Sequence, residues 1–480
     1  MATKNQPGDS LKIEKNSETG HEIVDCAERY GQSNCLRLVF FITVMSLLPV
    51  ANLAQGLPKA PNSEVITVTP MAGSFNEPSI AINPNNPQQI VAAYQGNARV
   101  AYSPDAGRHW LYPTGIESKN YRVSGDVSIT YDNQGHAYIC YITFDKLGTR
   151  SYWAHNSSRN GIYVRRSVDA GSTWEAKDVA AAEQPDQTNG PFEDKPYIVA
   201  DNSHGPYAGN LYIGWTRWTL TDSRMMFVRS TDSGKTWSKP IEIDDIRGLP
   251  RDDNGALEGF AGVVGPDSAL YAVWGDGNHL RYTVSTDGGV TFSRTRNIVE
   301  TAPIMFGVDG VARANGFPQI GIDPRGGPKG GRLYVTWSDY RNGDVDVFCS
   351  SSNDHGATWS PAVRVNNDPP HNGAEQFFQW MAVDPWDGAV YVVFYDRRGD
   401  PKEHEETVVL ARSTDGGQTF QNYSWMDQGF DAKGAFLGDY SGIAALNGRV
   451  YGIWSEKPAD TGPRDSVVRI GIADFNVAKR

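Results

Sequence analysis

Carboxylates, arginines and a tyrosine stand directly beside apolar, strand-like runs in this 480-residue sequence. A carboxyl group can give or take a proton, and a phenol activated by a carboxylate can attack an electrophile. The candidate catalytic residues of this kind are Glu77, Asp126, Asp439 and Tyr440. Whether they can act together depends on the elements that carry them.

Arginines follow apolar runs at comparable places in the chain. At two of these places an aspartate comes just before the arginine, in the sequences DYR and DRR. Guanidinium groups bind carboxylates in bidentate fashion, so an anionic ligand is a natural partner. The candidate substrate-binding residues are Arg217, Arg341, Arg397, Arg398 and the carboxylate Glu258. Equally, Asp339 with Arg341 and Asp396 with Arg397 could neutralise each other as ion pairs.

A sequence motif of the form S-x-D-x-G-x-T-W/F recurs six times. The copies begin at Ser103, Ser167, Ser230, Ser285, Ser352 and Ser413, separated by 55 to 67 residues. A short Asp side chain accepts backbone N–H groups within a tight turn, and the Gly two residues later permits positive φ. The motif is therefore interpreted as structural, and no metal site is expected from its aspartates, because no calcium-loop spacing is present.

Each copy follows the same succession of strand-like runs. The second run of each unit reads QIVAAY, AYICYITF, NLYIGW, ALYAVW, RLYVTW, AVYVVFY and finally RVYGIW, which makes seven units. The last unit ends one strand short, and EVITVT at 64–69 could supply that strand and close a ring. The sequence predicts an all-β, seven-bladed β-propeller over residues 63–478, with a six-bladed propeller as the alternative. The turns of the motif would lie on one side, and the candidate site residues on the other.

The repeats resemble the Asp boxes, or BNR repeats, of the sialidase superfamily. This resemblance implies a Tyr nucleophile with a carboxylate partner, an Asp acid and three Arg that hold the substrate carboxylate. The stretch GDYSGIAALNG (438–448) is similar to the family's nucleophile segment and puts Tyr440 in that place. Arg341 and one of Arg397 or Arg398 fall in the loops of the second and third family arginines.

The chain departs from the family where the first arginine is expected. Its first unit begins Phe75-Asn76-Glu77-Pro78, and Asn76 cannot make a bidentate charged contact. The loop expected to supply the acid is also short. A different carboxylate chemistry is therefore kept open, with Glu77, Asp126, Glu193 or Asp194 as the acid and Tyr440 or Asp439 opposite.

The segment 38–54, LVFFITVMSLLPVANLA, is the only sustained apolar run. It predicts a signal peptide, with a retained membrane anchor as the alternative, after a polar tail at 1–37. Either reading places the propeller outside the cytoplasm, as a secreted or periplasmic protein. If the leader is removed, Cys140 and Cys349 remain, and both are expected to be buried small hydrophobes rather than a disulfide.

The formal net charge of −12 and the absence of a long basic run exclude nucleic acid as the expected partner. No cofactor-binding motif is present, so no cofactor is expected, and a monomer is predicted. The leading hypothesis is an exported glycoside hydrolase, or related enzyme, acting on an anionic saccharide. The competing hypothesis is a non-catalytic propeller that binds a glycan or a protein, because fold alone does not fix function.

Overall fold

The computed structural model describes residues 56–252, 255–325, 330–400 and 405–476, so the polar tail and the apolar segment 38–54 lie outside the described residues. The described residues form strands and connecting loops without a helix. The strands assemble into seven antiparallel sheets arranged as blades, each with its first strand innermost. The predicted seven-bladed β-propeller is confirmed.

The strands follow one another blade by blade after β1 (Glu64–Thr67). Blade 1 contains β2 (Ser79–Ile82), β3 (Ile90–Tyr94) and β4 (Arg99–Ser103). Blade 2 contains β5 (Val123–Tyr131), β6 (Ala137–Phe144), β7 (Asn160–Ser167) and β8 (Val179–Gln184). Blade 3 contains β9 (Phe192–Ala200), β10 (Leu211–Trp218), β11 (Ser223–Ser230) and β12 (Ile241–Glu242). Blade 4 contains β13 (Glu258–Val264), β14 (Leu270–Gly275), β15 (His279–Ser285) and β16 (Arg296–Glu300).

The remaining three blades follow the same order. Blade 5 contains β17 (Gln319–Ile322), β18 (Leu333–Asp339), β19 (Asp346–Ser352) and β20 (Val363–Arg364). Blade 6 contains β21 (Gln376–Val383), β22 (Val390–Asp396), β23 (Glu405–Ser413), β24 (Gln421–Ser424) and the short β25 (Phe430–Asp431), which pairs with β23. Blade 7 contains β26 (Gly442–Leu446), β27 (Arg449–Glu456) and β28 (Val467–Asp474).

The ring is closed by β1, which pairs antiparallel with β28 in the register Glu64↔Ile472 to Thr67↔Arg469. The N-terminal strand is therefore the outermost strand of blade 7, as the sequence predicts. Val68, just beyond β1, is fully buried and donates its N–H to the carbonyl of Val468 at 2.8 Å. Pairing the first and last parts of the ring leaves no unpaired edge on β28.

The repeated turns follow the third strand of blades 1 to 6, and their Asp side chains organise the turn backbone. In the copy at Ser352, Asp354 Oδ1 accepts the N–H of Thr358 at 2.8 Å, and Oδ2 accepts the Thr358 hydroxyl at 2.6 Å. The Ser352 hydroxyl accepts the N–H of Gly356 at 2.9 Å. These hydrogen bonds lower the pKa of Asp354 to about 2, because they stabilise its charged form.

The Gly of each repeated turn also lies against the preceding blade. At Gly356, which has φ +76°, an added Cβ would lie 2.3 Å from the ring of Tyr282 in blade 4. At Gly171, with φ +96°, it would lie 2.3 Å from Val91 in blade 1. The motif therefore requires glycine both for its backbone conformation and for the close approach of neighbouring blades.

The core lies between neighbouring blades, where the faces of successive sheets meet. Trp215, Trp274, Trp337 and Trp454, one from the second strand of each of four blades, are completely buried. Cys140 and Cys349 are buried free thiols, as predicted, and burial raises the pKa of Cys349 to about 12.

Candidate functional site

Charged and aromatic side chains meet where the innermost strands begin, opposite the side of the repeated turns. We call this set the axial cluster; it comprises Glu77, Asp126, Asp194, Lys195, Asp252, Glu258, Arg313, Phe317, Trp380, Asp439 and Tyr440. Most of these side chains are nearly or completely buried. The cluster contains all four candidate catalytic residues and the candidate substrate-binding residue Glu258.

The backbone presents equivalent residues of successive blades to the cluster. The innermost strands β5, β9, β13 and β21 each contain a bulge at the same place, where two residues oppose one on the second strand. Positive φ occurs at the corresponding residues of five blades: Glu77, Asp126, Lys195, Gly259 and Phe378. Phe317 and Tyr440 occupy this position in blades 5 and 7, two residues before β17 and β26 begin. Bulges redirect side chains at the rims of sheets, which here turns unlike residues toward a common point.

Lys195 reaches from blade 3 toward aromatic rings of three other blades. Its Nζ lies 3.4 Å from the ring centroid of Tyr440, 5.4 Å from that of Phe317 and 5.5 Å from that of Trp380. The face of an aromatic ring attracts a cation, and more strongly where water is excluded. Burial lowers the pKa of Lys195, although Glu77 and other carboxylates of the cluster act in the opposite direction.

Glu77 is 2% exposed, and its Oε2 has no hydrogen-bond partner among the described residues. Burial raises the pKa of Glu77 well above its ordinary value, and the carboxylates of Asp126 and Asp439 raise it further. Arg313 and Lys195 act in the opposite direction but do not reverse the shift. Glu77 is therefore a carboxyl group whose surroundings favour its protonated form.

Arg313 joins the carboxylates of two different loops. Its Nη1 donates to Asp252 Oδ2 at 3.1 Å, and its Nη2 donates to Asp439. Asn315 Nδ2 donates to the backbone carbonyl of Asp439 at 3.0 Å. Burial lowers the pKa of Arg313, but Asp439 and Asp252 outweigh this effect and raise it. Arg313 therefore keeps its charge and forms an ion pair with each of the two carboxylates.

Four carboxyl groups of the axial cluster interact electrostatically in two pairs, Asp194 with Asp126 and Glu258 with Asp252. Trp218 Nε1 donates to Asp194 Oδ2 at 2.9 Å, so this tryptophan, which is fully buried, positions a carboxyl group. Burial raises the pKa of Asp194 and of Glu258 well above ordinary values, and nearby carboxylates add to both shifts.

Tyr440, the tyrosine predicted at the nucleophile's place, is 4% exposed. Its hydroxyl donates to the backbone carbonyl of Val127 at 3.2 Å, and its ring lies 5.5 Å from that of Trp380. Burial raises the pKa of Tyr440 well above its ordinary value, and Glu77, Asp126 and Asp439 add to the shift. The phenol is therefore neutral and hydrogen-bonded to the backbone in this state.

The four candidate arginines form ion pairs with carboxylates of nearby strands and loops. Arg217 donates to Glu193 through Nε at 2.9 Å and Nη2 at 2.6 Å. Arg341 donates to Asp339 through Nη2 at 2.6 Å, and its guanidinium lies over the rings of Trp337 and Phe348.

Arg397 and Arg398 diverge although they are adjacent. Arg397 is 1% exposed and bridges Glu375 at 2.8 Å and Glu406 at 2.7 Å. Arg398 donates to Asp396 Oδ2 at 2.6 Å. The structure thus pairs Asp339 with Arg341, one of the alternatives that the sequence left open, whereas Asp396 pairs with Arg398 rather than with Arg397.

Sequence reasoning did not select Lys195 or Asp252 for the site. Lys195 could have been found from the repeat alone, because K-P-Y in unit 3 aligns with E-P-S at Glu77 and D-V-S at Asp126. Asp252 lies in the loop before β13 and has no repeated counterpart, so only the folded chain brings it to Glu258.

Asn76, where the family pattern has arginine, is 2% exposed, and its Oδ1 has no partner in the described part of the chain.

Within the described ranges, no group of three His, Cys, Asp or Glu side chains is arranged to hold a metal ion. In the same ranges, no helix has the length and apolar character needed to cross a bilayer.

No protein-family model and no curated protein matches the chain. Solved structures do match its fold. The K499G mutant of the NanB sialidase from Streptococcus pneumoniae is 9% identical, covering 81% of this chain and 84% of its own, with a TM-score of 0.49. A leech intramolecular trans-sialidase is 13% identical, covering 73% of this chain and 68% of its own, with a TM-score of 0.48.

A third match, Ycf48 bound to a D1 peptide, is 14% identical, covering 88% of this chain and 99% of its own, with a TM-score of 0.46. The resemblance to the sialidase superfamily seen in the repeats is thus accompanied by sialidases among the structural neighbours. These likenesses concern the propeller, and they assign no role to any residue of the axial cluster.

Proposed function

We propose that this propeller is a glycoside hydrolase whose chemistry takes place at the axial cluster. The observation that supports this is the meeting of carboxyl groups from different blades in unlike environments. Burial raises the pKa of Glu77 and of Glu258 well above ordinary values, whereas Asp439 is paired with Arg313. Glycoside hydrolysis commonly needs such a combination, with one carboxylic acid protonating the leaving oxygen and one carboxylate acting on the other side of the bond.

The substrate class we propose is a saccharide. Asn76 Oδ1 and Glu77 Oε2 are buried polar atoms without a partner among the described residues, and ligand hydroxyls would satisfy them. The anionic saccharide that the sequence predicts remains part of the proposal. Lys195 and Arg313 are the cationic members of the axial cluster, so we expect them, rather than the four candidate arginines in or after the second strands, to face a substrate carboxylate.

The proposal includes export, because the segment 38–54 is typical of a signal peptide or an anchor. Hydrolysis would then take place outside the cytoplasm, on a free or surface-bound glycan. Fractionation of cells that produce the full chain tests this part alone. Recovery of all the protein from the cytoplasm would contradict it without affecting the enzymatic proposal.

The enzymatic proposal is tested with aryl glycosides of sialic acid, uronic acids and neutral sugars, assayed with the purified protein and with Glu77→Gln and Tyr440→Phe. We expect turnover of at least one substrate class and loss of turnover in Glu77→Gln. If Tyr440 is the nucleophile, Tyr440→Phe also loses turnover. No hydrolysis of any member of the panel would contradict the proposal.

A second candidate function is glycan or protein binding without catalysis, and one observation favours it. The Tyr440 hydroxyl already donates to Val127, and the candidate arginines are already paired with carboxylates. A site of this kind could bind without reacting. Glycan binding that is equal in the wild type and Tyr440→Phe, together with no turnover, would support this second function.

A further inference from the structure

A pocket of about 180 Å³ opens between blades 4 and 5 beside the axial cluster. Ile304, Phe306 and Phe317 contribute apolar walls, and Asp252 and Glu258 also line it. Pockets for drug-sized ligands usually measure roughly 300 to 1,000 Å³. This pocket is therefore suited to a single ring-sized group rather than to a longer piece of a chain.

The lining combines the two surfaces that a sugar ring offers to a protein. A sugar ring has C–H faces that pack on apolar or aromatic side chains, and a rim of hydroxyls that needs donors and acceptors. Besides the apolar walls, the pocket is lined by the polar side chains of Asn278, His279, Thr301 and Asn315. Lysine and arginine do not appear among its lining residues in the described ranges.

Glu258 and Asp252 line this pocket together, and both side chains are buried. Burial raises the pKa of Glu258 well above its ordinary value, and the neighbouring carboxylate of Asp252 raises it further. Arg313 donates to Asp252 at 3.1 Å and so stabilises the charge on Asp252. Glu258 has no ion-pair partner among the described residues, and burial together with the carboxylates of Asp252 and Asp194 disfavours its ionisation. Of the two carboxyl groups, Glu258 is therefore the better placed to hold a proton.

We propose that Glu258 is the general acid of the hydrolysis and that this pocket holds the terminal sugar ring of the substrate. The inference rests on the proposed function and assigns its acid. Glu258 gives its proton to the glycosidic oxygen while the bond from that oxygen to the anomeric carbon breaks, and the electron pair of the bond passes to the oxygen. A water oxygen then bonds to the anomeric carbon, and the proton released by that water restores the Glu258–Asp252 pair. Asp252 is a positioning residue, because it acts through Glu258.

The test compares two leaving groups on the sugar that the wild type hydrolyses. A dinitrophenolate leaves without protonation, whereas an alkoxide needs an acid. We expect Glu258→Gln to lower kcat/KM roughly 10² to 10⁴-fold for the alkyl glycoside and far less for the dinitrophenyl glycoside. The matched control is Glu64→Gln, which removes an exposed carboxylate of β1 and should leave both rates unchanged.

Each outcome decides one question. Equal loss on both substrates, or no loss, would overturn the assignment of Glu258 while leaving the proposed function intact. The same leaving-group pattern in Glu77→Gln, and not in Glu258→Gln, would place the acid at Glu77. No turnover by the wild type would instead refute the proposed function, and the inference with it.

A second measurement does not depend on turnover. Infrared spectra of protein labelled with ¹³C-glutamate should show a protonated carboxyl signal at neutral pH that Glu258→Gln removes in part. Only ionised glutamate signals in the wild type at neutral pH would overturn the inference. The circular dichroism of Glu258→Gln shows whether the variant has folded.

Discussion

The ammonium nitrogen of Lys195 lies 3.4 Å from the ring centroid of Tyr440, so a side chain of blade 3 contacts the first residues of blade 7. The cation lies among the carboxyl groups Glu77, Asp126, Asp439 and Glu258, each of which raises its pKa against the effect of burial. Lys195 thus links the aromatic part of the axial cluster to its acidic part. Changing either side should alter the protonation of the other.

Replacing Lys195 by Met should raise the pKa of Glu77 further. Lys195 lowers that pKa in the wild type, and methionine keeps the length of the side chain without its charge. The measurement is a pH titration of the Glu77 carboxyl signal by infrared or NMR spectroscopy. Lys239→Met, at an exposed lysine, is the matched control. An unchanged Glu77 titration in Lys195→Met would contradict the electrostatic effect of Lys195 on Glu77.

Arg397→Met should destabilise the protein by about 3 to 5 kcal/mol, because removal of one partner leaves buried carboxylates without a counter-charge. Arg397 is 1% exposed, and Glu406, which it contacts at 2.7 Å, is fully buried. The free energy of unfolding in urea measures the effect. Arg294→Met is the control, because the Arg294 side chain is 89% exposed and its loss should change stability by less than about 1 kcal/mol.

This experiment also separates the two roles that the sequence allows for Arg397. If Arg397→Met keeps wild-type stability and instead raises KM for an anionic substrate, Arg397 binds substrate. If stability falls as expected, its main role is to hold β23 and the loop before β21 together.

Gly356→Ala should cost more stability than Gly373→Ala. Both glycines have nearly the same positive φ, +76° and +75°, so the backbone strain of an alanine is matched. An added Cβ at Gly356 would lie 2.3 Å from Tyr282, whereas at Gly373 no atom lies within 4 Å. Overpacking of a buried contact costs about 1 to 3 kcal/mol, and this is the expected difference in unfolding free energy. Equal losses would show that neighbouring blades do not require the glycine.

The fold could be predicted from the sequence because its signals repeat. Six copies of one turn define the length of the repeating unit. The seventh unit lacks one strand of its own, and β1, which lies within the predicted segment 64–69, supplies that strand. The position of Tyr440 followed from the same register, since it lies two residues before β26. A repeated pattern can be read without coordinates because each copy supports the others.

The site could be predicted only in part, because its contacts are not repeated. Loop position alone could not show that Arg341 forms an ion pair with the nearby Asp339, or that Arg397 is buried between two glutamates. Nor could it show that Asp252, from an irregular loop, lines the same pocket as Glu258. Ion pairing depends on side-chain distances of a few ångströms, which strand periodicity does not specify.

Asp252 should make the protein less stable as pH rises from about 4 to 6. Burial raises the pKa of Asp252 to about 6 from an ordinary value of 3.8, although Arg313 acts in the opposite direction. In this window the folded state binds more protons than the unfolded state, so the free energy of unfolding falls as pH rises. At 1.36 kcal/mol per unit, the contribution of Asp252 is at most about 3 kcal/mol.

Asp252→Asn removes this titration, so its free energy of unfolding should fall less between pH 4 and pH 6.5 than that of the wild type. A residual fall is expected, because Glu77, Asp194 and Glu258 also have raised pKa values. The aspartates of the repeated turns do not obscure the comparison. Asp287 and Asp415, with pKa values of about 2, stabilise the fold above their ordinary pKa and lose that effect only as pH falls below about 4.

Urea unfolding at a series of pH values checks this prediction, with Asp427→Asn as the control. The Asp427 side chain is 86% exposed, so its replacement should leave the pH dependence of unfolding unchanged. Identical slopes for the wild type and Asp252→Asn would mean that Asp252 is ionised throughout the window.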